Sequence, residues 1–213
     1  MNIREELKIA NLVTKVTVSA KDPSFKNPTK PIGPIFRKDE LHKIKKIEPS
    51  AFFKEIHPGE FMRVVPSPDP ISIQELDAIK KLIKNDFIVI ACGGGGIPII
   101  SGKKNYFTNA VIDKDLASEL LATGIGASKF VSLTDVAGVY INFKSKNRKL
   151  LRKINVDKIK AMLKAGDFEQ GSMEPKVRAA IRFVKNTNKI AVIASLEKTK
   201  SAVHLKSGTI ICN

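Results

Sequence analysis

Four consecutive glycines, Gly93 to Gly96, directly follow the apolar run Phe87 to Cys92. A continuous apolar run bounded by glycine reads as a strand buried on both faces, so the loop falls at the carboxyl end of a sheet strand, where α/β proteins bind ligands. Without Cβ atoms the backbone turns freely and its N–H groups can approach a phosphate or carboxylate. A bare strand-to-loop turn would carry the same residues, and the GxxxxGK[ST] spacing of a P-loop is absent.

Three lysines stand in three separately stiffened segments. Lys114 follows Asp113 in Val111-Ile112-Asp113-Lys114-Asp115 at a helix start, where a cation is unfavourable unless it faces an anion. Lys176 follows Gly171-Ser172-Met173-Glu174-Pro175, with Pro175 expected at the first helical position and Lys176 projecting from the first turn. Lys30 lies in Asn27-Pro28-Thr29-Lys30-Pro31-Ile32-Gly33-Pro34, where two X-Pro steps hold it extended. Each could be an ordinary surface lysine. Together, beside a tetraglycine turn, they suggest convergence on an anionic reacting group, because phosphoryl transfer depends on positioning and charge stabilisation.

The elements that must position these residues change character along the chain. Residues 12–19 read as a β-branched strand with Val16 and Val18 opposite Thr17, and what precedes it reads as a clipped helix; together they form a first unit, 1–20. Residues 21–70 hold nine of the eleven prolines, a density that breaks long helices and central strands. They read as a small irregular subdomain with Ile35, Phe36, Phe52, Phe53, Phe61, Val64 and Val65 as its core. From 71 to 213 helix and strand alternate, which implies right-handed crossovers and a mostly parallel sheet. Ser72 and Glu75 suggest a capping box for a helix running to about Asn85. Asp113, Asn155 and Pro175 mark further helix starts, and Phe130 to Leu133 and Ile190 to Ala194 read as buried strands.

Composition excludes several function classes. The chain has 213 residues and a formal charge of +16. The basic residues are scattered, and with two Tyr and no Trp there is little aromatic interleaving for base stacking, so no nucleic-acid partner is expected. No apolar run approaches the roughly 20 residues of a membrane helix, so no membrane partner is expected. The opening residues lack a secretory signal, and a cytoplasmic location is expected. Cys92, Cys212, His42, His57 and His204 show no metal-ligand spacing.

The segments FKNPTKPIGP (25–34), VVPSPDP (64–70), ACGGGGIP (91–98), VIDKDLAS (111–118) and GSMEPKVRAAIRFV (171–184) occur in that order, with LTDVAGVY (133–140) and IASLEK (193–198) among them. Together they closely resemble the carbamate kinases of the amino-acid kinase family over nearly the whole chain. The resemblance implies an α/β/α sandwich with a small proline-rich inserted subdomain. It implies reversible phosphoryl transfer between carbamoyl phosphate and ADP, giving ATP and carbamate, as the closing step of arginine breakdown. It further implies Mg2+, ATP or ADP, a homodimer and the cytoplasm. By position, Lys30 would reach over carbamoyl phosphate, Lys114 would neutralise the transferring phosphoryl group, and Asp115 would orient those lysines or the metal. Tyr140 and Met173 would lie near the adenosine, Lys176 would bind nucleotide phosphates, and Gly94 and Gly95 would line the substrate side.

The family pattern also includes an opening ALGGNA-like loop and a later HGNGPQ-like loop, which this sequence does not contain. The expectation is therefore a chain lacking the N-terminal third, with exposed apolar sheet faces and little ATP formation by itself. The alternative is an impaired remnant, or half of a split enzyme that binds nucleotide and needs a separate N-terminal fragment.

Overall fold

The computed structural model describes residues 7–101, 106–143, 145–169 and 171–213. Strands β1 (Lys8–Asn11) and β2 (Lys15–Val18) lead into β3 (Lys30–Arg37), α1 (Lys38–Ile47), β4 (Phe52–His57) and β5 (Glu60–Val65). Next come β6 (Pro70–Ile73), α2 (Leu76–Lys84), β7 (Phe87–Ile90), β8 (Ile97–Ile100), β9 (Tyr106–Phe107) and α3 (Lys114–Gly124). The last part contains β10 (Lys129–Thr134), β11 (Tyr140–Ile141), β12 (Lys149–Leu150), β13 (Lys153–Asn155) and α4 (Val156–Ala165). It closes with α5 (Met173–Thr187), β14 (Ile190–Ser195), α6 (Thr199–Val203) and β15 (Thr209–Cys212).

The architecture is α/β, with parallel and antiparallel pairings mixed in its two four-stranded sheets. In one sheet, ordered β10-β14-β15-β13, β10 runs parallel to β14 and β13 parallel to β15, while β14 and β15 are antiparallel. A second, ordered β6-β2-β8-β9, pairs β2 parallel to β8 and antiparallel to β6. β1 and β7 form a parallel pair of their own. The proline-rich stretch holds the antiparallel sheet β3-β5-β4, carrying α1. Pro31 and Pro34 lie in β3, an edge strand of that sheet, where a missing N–H costs least.

The larger core surrounds α5. Val177, Phe183 and Val184 are fully buried against Val156, Ile159, Ile193 and Ile211, and the Phe183 ring lies 5.7 Å from that of Phe130. β14 is buried at four of its six positions, as a strand covered on both faces should be. The other principal core gathers Val16, Val18, Ile73, Ile79, Ile100, Ile112 and Ala117 beneath α2 and α3.

Several sequence expectations are corrected. Residues 8–11, expected in a clipped helix, form β1, which gains its hydrogen bonds from the distant β7; residues 1–6 lie outside the described residues. The strand expected over 12–19 spans only Lys15–Val18, and Thr17, opposite Val16 and Val18, is buried along with them. The Ser72–Glu75 capping box does not form: Ser72 pairs with Thr17 in β6, and Glu75 accepts a 2.8 Å hydrogen bond from the Lys15 N–H. Pairing with β2 wins over the local capping preference. The run Phe87 to Cys92 is a strand only to Ile90, and it is not buried on both faces: Ile88 and Ile90 are 50% and 53% exposed. Of the expected small-subdomain core, Val64 is buried but Ile35 and Phe52 are exposed.

Truncating Phe183 to alanine removes the largest fully buried side chain. Phe183→Ala is expected to cost about 3–5 kcal/mol in urea-induced unfolding, through lost transfer energy and a residual cavity.

Candidate functional site

The start of α3 is the focus of the site. Asp113 is the N-cap: its Oδ1 accepts from the Asp115 backbone N–H at 2.9 Å, satisfying one of the unpaired donors of the first turn. Its other oxygen, Oδ2, meets Lys30 Nζ at 2.7 Å. Burial, the largest influence on the Asp113 carboxyl, raises its pKa, but the Lys30 hydrogen bond and charge, the Asp115 N–H and Lys114 together hold it below the ordinary value. Lys30 opens β3, and the neighbouring end of β5 is tied to the same segment, since the Val111 N–H donates to the Pro66 carbonyl at 2.9 Å.

Asp115 is buried one position into the helix. Lys176 Nζ lies 3.1 Å from both of its oxygens, and Ser132 on β10 donates to Oδ1 at 2.8 Å. Lys114 Nζ is 3.8 Å from Oδ2, with its side chain 65% exposed. Met173 is the first residue of α5, so Pro175 occupies the third helical position rather than the first. That proline still costs no hydrogen bond, because the first N–H groups of a helix have no intrahelical acceptor. Lys176 follows, and its Cβ tilts back toward the helix start, which carries the ammonium onto Asp115.

The glycine loop lies beside this helix start. Gly93–Gly95 form a 3-10 turn entered through Cys92 at φ 55. A Cβ on Gly95 would sit 2.1 Å from the Ile112 carbonyl oxygen, so only glycine lets the loop approach the segment leading to Lys114; at Gly94 there is open space. Thr14 holds the loop's flanks: its Oγ1 accepts from the Cys92 N–H at 3.0 Å and its carbonyl from Ile97 at 2.8 Å. Burial pushes the Cys92 thiol up to about 11, so it stays protonated at neutral pH.

Lys30, Lys114, Asp115, Lys176, Gly94 and Gly95 thus belong to one region. Tyr140 and Met173 line a separate pocket with Thr134, Asp135, Phe143 and Phe168. Lys176 does not line that pocket. Sequence reasoning missed Thr14 and Ser132, and took Asp113 only as a cap. A threonine and a serine in β-rich segments carry no signal of what they will face. Asp135, Asp167 and Phe168 had a weak one, in LTDV and in the DFE run before α5. The expected link from Asp115 to Lys30 is replaced by Asp113, which shares the same helix turn.

Among the described residues no cluster of three His, Cys, Asp or Glu could hold a metal ion. Asp113 and Asp115 are each committed to an ammonium group, so these carboxylates offer no open cation site. No helix of the described residues is long and apolar enough to cross a membrane.

The amino acid kinase family matches residues 38–195. The carbamate kinase of Lentilactobacillus hilgardii is 45% identical over 204 residues, covering 95% of this chain and 64% of its own length. That of Thermoplasma acidophilum is 44% identical over 211 residues, covering 99% of this chain and 68% of its own. Among solved structures, the carbamate kinase from Giardia lamblia bound to AMP-PNP superposes with a TM-score of 0.87 at 39% identity, covering 98% of this chain and 66% of that one. The chain therefore spans about two thirds of the length of these relatives, and nothing in them supports the impaired-remnant alternative.

Gly95→Ala should lower the thermal midpoint more than Gly94→Ala, which meets only the cost of a left-handed residue, about 1–2 kcal/mol. At pH 8 an alkylating reagent should label Cys212 in the folded protein and spare Cys92, as peptide mass spectrometry would record.

Proposed function

The chain belongs to the amino acid kinase family, and from that premise we propose that it carries phosphoryl-transfer chemistry between carbamoyl phosphate and ADP. The observation that carries the reading is the gathering of three lysines, Lys30, Lys114 and Lys176, around two aspartates at the first turn of α3. Three positive and two negative charges leave one net positive charge, beside a helix N-terminus that favours anions. Lys114, more exposed than the other two, is the group free to follow the transferring phosphoryl charge. A compact ammonium suits that work, since it neutralises charge as it moves from donor to acceptor oxygen.

Lys176 and Asp115 act as the fixed base of this arrangement, with Lys176 turned toward the nucleotide phosphates and Lys30 toward the carbamoyl phosphate. Gly94 and Gly95 bring backbone close to the substrate side. The pocket of Tyr140 and Met173 is the place for the adenosine, whose ring can stack on the aromatic side chains while Asp135 or Asp167 accepts from ribose hydroxyls. Mg2+ enters as part of the metal–nucleotide substrate, bound through phosphate oxygens, which suits a site whose own carboxylates hold lysines. A second copy of the chain would cover the apolar side of β1 and β7, where Ile9, Ile88 and Ile90 are half exposed. A cytoplasmic setting accords with this reading.

The test is ATP formation from ADP, Mg2+ and carbamoyl phosphate by the purified protein. We expect ATP formation that falls about 100-fold or more in Lys114→Ala, the scale of losing one charge-stabilising group. ATP formation indifferent to Lys114, or none from a folded protein, would overturn the reading.

A further inference from the structure

Asp113 does two things with one carboxylate. Oδ1 caps α3 on the Asp115 N–H, and Oδ2 receives Lys30 Nζ from a strand 83 residues earlier in the chain. The cap pins the carboxylate, because rotating it away from the Asp115 N–H would leave a donor of the first turn unpaired. Oδ2 is therefore a fixed point. Lys30 is anchored from its other end as well: it pairs with Val65, and the adjacent Pro66 carbonyl accepts from Val111, two residues before Asp113. A four-carbon stem between two anchors on the same segment has little freedom left.

From this juxtaposition we infer that Asp113 is a positioning residue for Lys30, holding its ammonium at the entrance of α3 so that its remaining N–H donors face a phosphate-bearing substrate. An ammonium has three donors; one is spent on Asp113 and two stay available for the anion. Asp113 does not itself touch the reacting groups. Neutralising it makes the site more positive, which favours anion binding, while releasing the stem that sets where Lys30 stands. Its loss should therefore weaken turnover rather than binding. This inference rests on the proposed phosphoryl transfer for its kinetic consequences, but not for the Lys30–Asp113 coupling itself.

Asp113→Asn tests it, with Asp113→Ser as a second variant that keeps an oxygen for the helix cap. Both should lower kcat about 10- to 100-fold while KM for carbamoyl phosphate stays level or falls. On a Lys30→Ala background the Asp113→Asn change should cost nothing further; an equal loss on both backgrounds would mean a structural role and overturn the inference. A readout independent of turnover is acetylation of Lys30 by acetic anhydride, followed by peptide mass spectrometry. Both Asp113 variants should label Lys30 several-fold faster than the parent protein. Equal labelling overturns the inference even where ATP is formed, whereas faster labelling in a protein that forms no ATP upholds it and removes only the proposed reaction.

Discussion

Everything around the candidate site depends on the buried contact between Asp115 and Lys176. It joins the first turn of α3 to the first turns of α5, and Ser132 adds β10 to the same carboxylate. Taking two charges out of water costs several kcal/mol per ion, and good geometry with additional hydrogen bonds is needed to recover it. The hydroxyl of Ser132 supplies one such bond. A pair of this kind contributes little to net stability, but removing either member strands a buried charge, so it holds two helices in one register.

Around that fixed pair the other groups differ in freedom. Lys30 is held at one point by Asp113, while Lys114 extends into solvent from the same helix turn. The proposed phosphoryl transfer would use both kinds: groups already in place before the reaction, and one able to follow the charge as it moves. The glycine loop contributes by proximity. Gly95 has no room for a Cβ against Ile112, so the loop presses on the segment that delivers Asp113 and Lys114.

A second polar junction ties the proline-rich stretch to α5. Asp69, just before β6, pairs with Arg178 and approaches Arg182 at 3.6 Å, while its N–H donates to Asp22. Arg182 also reaches the buried Glu119 of α3 at 3.1 Å, with Thr123 donating to the same carboxylate. These contacts and the Lys30–Asp113 pair tie the proline-rich stretch to both α3 and α5. The prolines between β5 and β6 limit how far that connection can bend, since each fixes its own φ.

Much of this was legible in the sequence. Helix starts at Asp113 and Asn155 follow from short-range capping, and both residues accept from the N–H two positions on. The strands at 130–133 and 190–194 follow from their apolar runs, and the ordered motifs pointed to the family and to Lys30, Lys114, Asp115 and Lys176. Where the sequence misled, a distant partner decided. Ser72 pairs with Thr17 instead of capping a helix, residues 8–11 become a strand beside β7, and the run from Phe87 is covered on only one side. Residue types and local pattern thus determined the elements and the chemistry available, because capping and periodicity act over a few residues. Which lysine meets which aspartate was decided by tertiary structure alone, because Lys30 and Asp113, and Asp115 and Lys176, lie 83 and 61 residues apart and meet only once the sheets have formed.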